Sequence, residues 1–163
     1  MSVSGATFAV VFNVVLIEPE IPPNTGNVGR LCLATCSTLH LVKPLGFSLE
    51  DRHLKRAGLD YWGEVDLRTW GSLTELQQSQ AADARYFFLT TKTSRAYYTV
   101  KFQRGDFLVF GRETKGLPES LLAENSDHCI TIPMRGARSL NLATAVAIVL
   151  FEAVRQQVTS AAF

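Results

Sequence analysis

Three short segments of this chain concentrate residue types that hold phosphates, sugars and cofactors. The first is Pro22-Pro23-Asn24-Thr25-Gly26-Asn27-Val28-Gly29-Arg30. Its glycines, asparagines and arginine suit a phosphate held by backbone N–H groups and a guanidinium fork, or equally a capped turn with a surface arginine. It is not G-x-G-x-x-G, because its glycines are Gly26 and Gly29 alone. The second is Phe110-Gly111-Arg112-Glu113-Thr114-Lys115-Gly116-Leu117-Pro118, in which Gly111 and Gly116 permit tight backbone turns. Lys115 precedes its glycine, so the segment is no Walker A loop, and Glu113 beside Arg112 and Lys115 reads most simply as a solvated ion cluster. The third runs from Ile132 through Pro133, Met134, Arg135, Arg138, Ser139 and Leu140 to Asn141 and Leu142. There Ser139 or Asn141 can cap a helix, and Arg135 and Arg138 add positive charge. Each segment alone is a weak signal. All three follow strand-like runs, and in open α/β sheets the carboxyl edge of the strands is where ligands bind, so the three are expected to converge on one concave site.

The elements that must position them read as follows. Val10 to Glu18 is β-branched and apolar and fits a buried strand. After a proline-rich turn, Val28, Leu31, Cys32, Thr35 and Cys36 fall at helical spacing. Leu39 to Val42 is a second strand. Ser48 with Asp51, and Ser72 with Glu75, have the spacing of helix caps, for helices stopping near Gly58 and Gln80. Tyr86 to Thr90, Phe107 to Phe110 and Cys129 to Ile132 are further strands, and Pro118 suits the first turn of a helix over Glu119 to Ala123. A long helix runs from about Asn141 to Val158. Alternating short strands and helices give the α/β class, a mostly parallel sheet flanked by helices. The last helix carries two apolar stripes. One is Leu140, Ala143, Thr144, Ala147, Ile148 and Phe151, and the other is Leu142, Val146, Val149, Leu150 and Ala153. A helix apolar on two sides needs cover on both, and a homodimer is expected to supply the second cover.

A length of 163 residues predicts one domain, placed at residues 13–158 with an N-terminal extension at 1–12 and a tail at 159–163. Hydrophobic residues at 47% and charged residues at 19% exclude a disordered chain. A net charge of +1 does not announce a nucleic-acid binder, so any RNA contact must come from clustered basic groups. Arg52, Lys55 and Arg56 form one such cluster. Lys92, Arg95, Lys101 and Arg104, with Tyr97 and Tyr98 between them, form another, where a tyrosine can stack on an unpaired base. Cys32, Cys36 and Cys129 are too few and too spread for a disulfide framework, and are expected as small core residues, with Cys32 and Cys36 on one helix face. His40 is the only further candidate near Cys32 and Cys36, in a strand-like run, so no metal site is expected. No run of 18 apolar residues predicts a membrane span, and the first residues make a poor signal peptide; a cytoplasmic protein is expected by elimination.

The segments N-T-G-N-V-G-R, F-G-R-E-T-K-G-L-P and I-P-M…S-L-N-L-A-T-A-V-A-I resemble, in order and spacing, the three motifs of the SPOUT-class RNA 2′-O-ribose methyltransferases. The likeness runs from about Val14 to Gln156. I-E-P-E-I-P-P-N-T-G-N, L-x-R-A-G-L-D-Y at Leu54 to Tyr61 and L-T-T-K at Leu89 to Lys92 resemble the short bacterial tRNA (cytidine/uridine-34-2′-O)-methyltransferases, which act on the wobble ribose of certain leucine tRNAs.

That resemblance implies a C-terminal trefoil knot, a homodimer, tRNA as partner and S-adenosyl-L-methionine as methyl donor, with S-adenosyl-L-homocysteine as product. It implies that Leu89, Gly111, Ile132, Ser139 and Leu140 hold the cofactor, and that Arg30, Asn24 and Glu113 serve the reaction. Arginine is always protonated in proteins, so Arg30 is better read as a clamp on the phosphate beside the reacting 2′-OH than as a base. Asn24 is expected to position Arg30 or the ribose, and Glu113 to orient Arg30 or Arg112. Arg52, Lys55, Arg56, Lys92, Arg95, Arg112 and Arg138 are expected on RNA. The chain departs from its relatives at Arg112, where many have proline, at Phe151, where tyrosine is expected, and in a motif-three loop one residue shorter. Two alternatives share the resemblance: action on another tRNA position or on ribosomal RNA, or an RNA-binding module that keeps only the fold.

Overall fold

The structure, a computed structural model, describes residues 12–50, 52, 54, 59–136 and 138–158. Six strands form one sheet: β1 (Asn13–Ile17), β2 (Thr38–Val42), β3 (Leu67–Trp70), β4 (Tyr86–Leu89), β5 (Phe107–Phe110) and β6 (Cys129–Ile130). They lie in the order β3-β2-β1-β5-β4-β6, and every pairing is parallel. Parallel strands inside a sheet must be covered on both faces, which explains why β1, β4 and β5 are nearly continuous apolar sequence, whereas β3 lies at the sheet edge. Along β1, Val14 and Leu16 face one core and Val15 and Ile17 the other. The first core is roofed by α1 (Pro22–Ala34) and α4 (Leu142–Gln157), which pack on each other. The second is roofed by the short helices α2 (Leu73–Gln78) and α3 (Glu119–Glu124).

The expected α/β sheet flanked by helices is therefore present, with differences that have physical causes. The helix expected to open near Val28 starts at Pro22, so the first motif lies on α1 and not in a loop. Pro22 and Pro23 sit where helix N–H groups have no partner anyway, and so cost the helix nothing. Cys36 does not share a helix face with Cys32. The helix ends at Ala34, Cys36 takes φ 54°, and the Cys36 and Ser37 N–H groups bond to the Leu33 and Cys32 carbonyls in a Schellman turn. Cys32 is buried and Cys36 exposed. β3 was not expected: Leu67-Arg68-Thr69-Trp70 has no strong strand signal, and the segment is extended because it pairs with β2 from Leu39 to Val42.

At the carboxyl end, β6 stops at Ile130, and Thr131 bridges instead to Ala96. Phe12, assigned to the extension, is fully buried in the core against Phe102. The rest of that extension, Val10 and Val11 of the first strand, Asp51 and Gly58 of the second helix and the tail at 159–163 lie outside the described residues. The Ser72–Glu75 cap is as expected, with the Ser72 hydroxyl accepting from the Glu75 N–H at 3.1 Å.

His40 is structural. It is buried on β2, its Nδ1 accepts from Trp70 Nε1 at 3.0 Å, and its Nε2 lies 2.9 Å from Asn13 Oδ1. Indole N–H can only donate, so Nδ1 is unprotonated and Nε2–H is the donor to Asn13. Desolvation, reinforced by the Arg68 charge, holds the imidazole pKa down at about 4. Among the described residues no group of three or more His, Cys, Asp or Glu is arranged to hold a metal, and no helix is long and apolar enough to cross a membrane.

On α4 the two stripes separate as chemistry requires. Val146, Val149, Leu150 and Ala153 are fully buried against the sheet, while Phe151 on the other stripe is 45% exposed and Leu140 just before the helix 37%.

Candidate active site

The carboxyl ends of β4, β5 and β6 frame a cavity of about 510 Å³. That is within the roughly 300–1,000 Å³ range of small-molecule sites. The end of β4 and the chain after it contribute Leu89 to Lys92, the end of β5 and the chain after it residues 110–117, and the chain after β6 contributes Thr131, Ile132 and Met134 and then Ser139 to Leu142. α1 adds Asn24, with Ile21 just before it. Parts of all three segments thus meet, as their positions after strands predicted.

The wall from Gly111 to Leu117 is a tight turn closed on itself. Arg112 N–H donates to the Gly116 carbonyl at 3.3 Å, and Gly116 N–H donates back at 2.8 Å. Gly116 takes φ 66°, a conformation glycine adopts freely. Gly111 is needed for a different reason: a Cβ there would run into the backbone of Gly116 and Leu117. The turn therefore brings two stretches of bare backbone together at the cavity, where N–H and C=O groups can meet a ligand closely.

Asn24 is buried, and its Oδ1 accepts from Asn141 Nδ2 at 2.9 Å. Asn141 also caps α4, its Oδ1 accepting from the Ala143 and Thr144 N–H groups at 2.9 and 3.3 Å. One amide pair thus ties the first motif to the third. Of the two expected roles of Asn24, contact with Arg30 or with the ribose, the structure shows no hydrogen bond to Arg30 among the described residues. Glu113 likewise orients neither Arg30 nor Arg112. Its carboxylate accepts the backbone N–H groups of Glu20 and Ile21 at 2.8 and 3.0 Å, just ahead of α1. It is not a loose solvated cluster either, because the partner of Arg112 is Glu20, with Nη2 to Oε1 at 2.9 Å. The Thr114 hydroxyl, then its N–H and Arg112, hold the Glu20 carboxyl below its ordinary pKa, against an opposing push from desolvation.

Leu89, Gly111, Ile132, Ser139 and Leu140, the residues expected around the cofactor, all line the cavity. Leu89 and Ile132 are half-buried against the core, so with Leu140 they offer an apolar slot beside polar backbone. Arg30 does not line this cavity. It is exposed on α1, with its guanidinium 5.8 Å from the Tyr61 ring centroid, a cation–π distance. Of the residues expected on RNA, Lys92 and Arg112 line the cavity, and Arg52, Arg95 and Arg138 are exposed elsewhere. Lys92 pairs with Glu119 at 2.7 Å, both side chains largely exposed, and Arg95 donates to the Asp127 carbonyl at 2.7 Å. Lys55 and Arg56 lie outside the described residues. Glu20 was not singled out from the sequence, because its spacing from Pro22 carries no sign that its partners, Arg112 and Thr114, lie in the second motif.

The sequence signature of the SpoU rRNA Methylase family matches residues 11–151. A tRNA (cytidine(34)-2′-O)-methyltransferase of Methylovorus glucosotrophus is 50% identical over 148 residues, covering 90% of this chain and 96% of its own. A solved structure concerned with the 2-OH methylation of C/U34 on tRNA superposes with a TM-score of 0.86 at 46% identity, over 90% of this chain and 95% of that one. An AdoMet-bound rRNA methyltransferase from Sinorhizobium meliloti superposes with a TM-score of 0.81 at 26% identity, over 91% of this chain and 57% of that one. The fold is that of the SpoU methyltransferases, which carry a trefoil knot, as expected. On a signature that spans most of its length and relatives matched nearly end to end, this chain belongs to the SpoU methylase family.

Proposed function

We propose that this chain is a cytoplasmic tRNA methyltransferase. It transfers the methyl group of S-adenosyl-L-methionine to the ribose 2′-OH of nucleotide 34, cytidine or uridine, in leucine tRNAs, and it works as a homodimer. The observation that carries the reading is one cavity walled by parts of all three motifs, in a chain half identical to a relative named for this reaction. The residues fit the cofactor: a slot of Leu89, Ile132 and Leu140 suits an adenine, and the backbone from Gly111 to Leu117, which leaves no room for a Cβ at Gly111, suits close hydrogen bonding. When bound, the group supplies an activated methyl on a sulfonium and leaves as S-adenosyl-L-homocysteine.

The chain's own task includes alignment, since holding the 2′-OH in line with the methyl group removes a large entropic part of the barrier. Arg30 is assigned to the phosphate beside that hydroxyl, held by a planar fork that lysine cannot reproduce. Because Arg30 stands outside the cavity of its own chain, substrate RNA must reach from α1 to the cavity, or a second copy must bring its guanidinium there. Lys92, Arg95 and Arg138, with Arg52, are assigned to tRNA phosphates, and the half-exposed ring of Tyr98 to an unpaired base. The Lys92–Glu119 pair is a surface ion pair worth little, so Lys92 stays available to a phosphate. The half-exposed stripe of α4 around Phe151 is the surface assigned to the second subunit.

Unmodified transcripts test the finer specificity. Leucine tRNAs with cytidine or uridine at position 34 are expected to accept methyl groups, and the same transcripts with a purine there are not. Equal methylation of unrelated tRNAs would contradict the leucine assignment.

A further inference from the structure

We propose that Glu20 is a positioning residue of the methyl-transfer site, acting on the cavity through Arg112 and Thr114; this rests on the reading of the cavity given above. Glu20 itself does not line the cavity, but Arg112, Glu113 and Thr114 do. Its Oε1 accepts from Arg112 Nε and Nη2 at 3.1 and 2.9 Å. The Thr114 N–H and hydroxyl donate to its Oε2 at 3.2 and 2.9 Å. In the opposite direction the Glu113 carboxylate accepts the N–H groups of Glu20 and Ile21. Two carboxylates therefore clasp each other's backbone neighbourhood. One holds the turn of the second motif; the other holds the chain entering α1.

The clasp fills a specific need. Ile21 caps α1 without any side-chain hydrogen bond of its own, and Glu113 takes the two N–H groups just ahead of the helix. The turn from Arg112 to Gly116 is closed by its own two backbone bonds, and Glu20, through Arg112 and Thr114, ties it to the chain ahead of α1. Glu20 is in turn fixed from behind. Gly46 lies against its backbone, where a Cβ would come within 2.8 Å of Glu20 Cα, and Gly46 N–H donates to the Pro19 carbonyl at 2.9 Å. The cavity wall and the helix carrying Asn24 and Arg30 thus hold one relative position. Arg112 spends its guanidinium on Glu20 inside this clasp.

The test compares wild type with Glu20→Gln, which keeps the shape and removes the charge, and with Thr114→Ala, which removes one donor and leaves the helix entry intact. Titration calorimetry reads S-adenosyl-L-methionine binding, and hydrogen exchange of the ligand-free protein reads the backbone of residues 111–117. Charge-assisted hydrogen bonds are the strong ones, and a loss of about tenfold in cofactor affinity is expected for Glu20→Gln, with about threefold for Thr114→Ala. Faster exchange at 111–117 is expected in both. A merely stabilising residue would lower the melting temperature and leave the cofactor constant unmoved, and that result overturns the proposal. Unchanged exchange at 111–117 overturns it as well. If Glu20→Gln does not fold, Thr114→Ala decides by the same readouts. A wild type that binds no S-adenosyl-L-methionine refutes the reading of the cavity and the positioning role with it, whereas loss confined to the variants leaves that reading standing.

Discussion

Gly111→Ala is the sharpest probe of the cavity wall. An added Cβ at this position would overlap the backbone of Gly116 and Leu117 and stand 2.5 Å from the Gly116 carbonyl oxygen. Ordinary carbon contacts need about 3.5 Å, so the facing strand of the turn must retreat by roughly 1 Å. Backbone cannot swing aside as the tip of a side chain can, and the retreat strains both Arg112–Gly116 hydrogen bonds, now 3.3 and 2.8 Å. At about 1 kcal/mol for each, their loss amounts to about 2 kcal/mol, or ~30-fold in a binding constant if the turn must reclose around a ligand. Calorimetric titration with S-adenosyl-L-methionine measures it directly. Gly63→Ala is the control, because nothing lies within 4 Å of a Cβ there, and it is expected to bind as wild type does. Gly111→Ala binding within twofold of wild type would refute the claim that this close backbone approach builds the site.

Three further outcomes follow from the geometry. His40 has a folded pKa of about 4 against an ordinary 6.5, so its contribution to stability is fully present above about pH 6.5 and is lost as pH falls toward 4. The shift corresponds to about 3 kcal/mol, and urea unfolding of His40→Gln should show a flatter dependence over that window; an identical slope would remove His40 as the cause. Asn141→Ala removes the cap of α4 and strands the buried Asn24 oxygen, an expected cost of about 2–4 kcal/mol by thermal or urea unfolding. A loss under 0.5 kcal/mol would mean water replaces the amide. Phe151→Asp on the half-exposed stripe of α4 is expected to convert a dimer to monomer in sedimentation, and a wild type already monomeric at micromolar concentration would refute the dimer.

Much of this was legible in the residues. Phe107 to Phe110 has the same bounds as β5, and the two stripes of α4 divide into one buried and one half-exposed. What could not be read was decided by partners remote in sequence. Pro22 to Gly26 has poor propensity for a helix interior, yet it opens α1: its prolines stand where no N–H is needed, and Glu113, 92 residues away from Ile21, takes the N–H groups just ahead of the helix. Leu67 to Trp70 is a strand because β2 offers it a pairing edge, not because its own residues alternate. Cys36 matched Cys32 at helical spacing, but spacing carries no information about where the helix turns off. The site showed the same division. The three motifs announced their convergence through residue type and their place after strands. The roles of Asn24 and Glu113, each bonded to a different motif, needed the third dimension.

The central claim is tested most directly by incubating the protein with methyl-labelled S-adenosyl-L-methionine and unmodified total tRNA, then digesting the tRNA with nuclease and mapping the label by mass. The expected result is label in a 2′-O-methylated nucleotide at position 34 and nowhere else. Label on a base, or on a ribose at another position, would contradict the account.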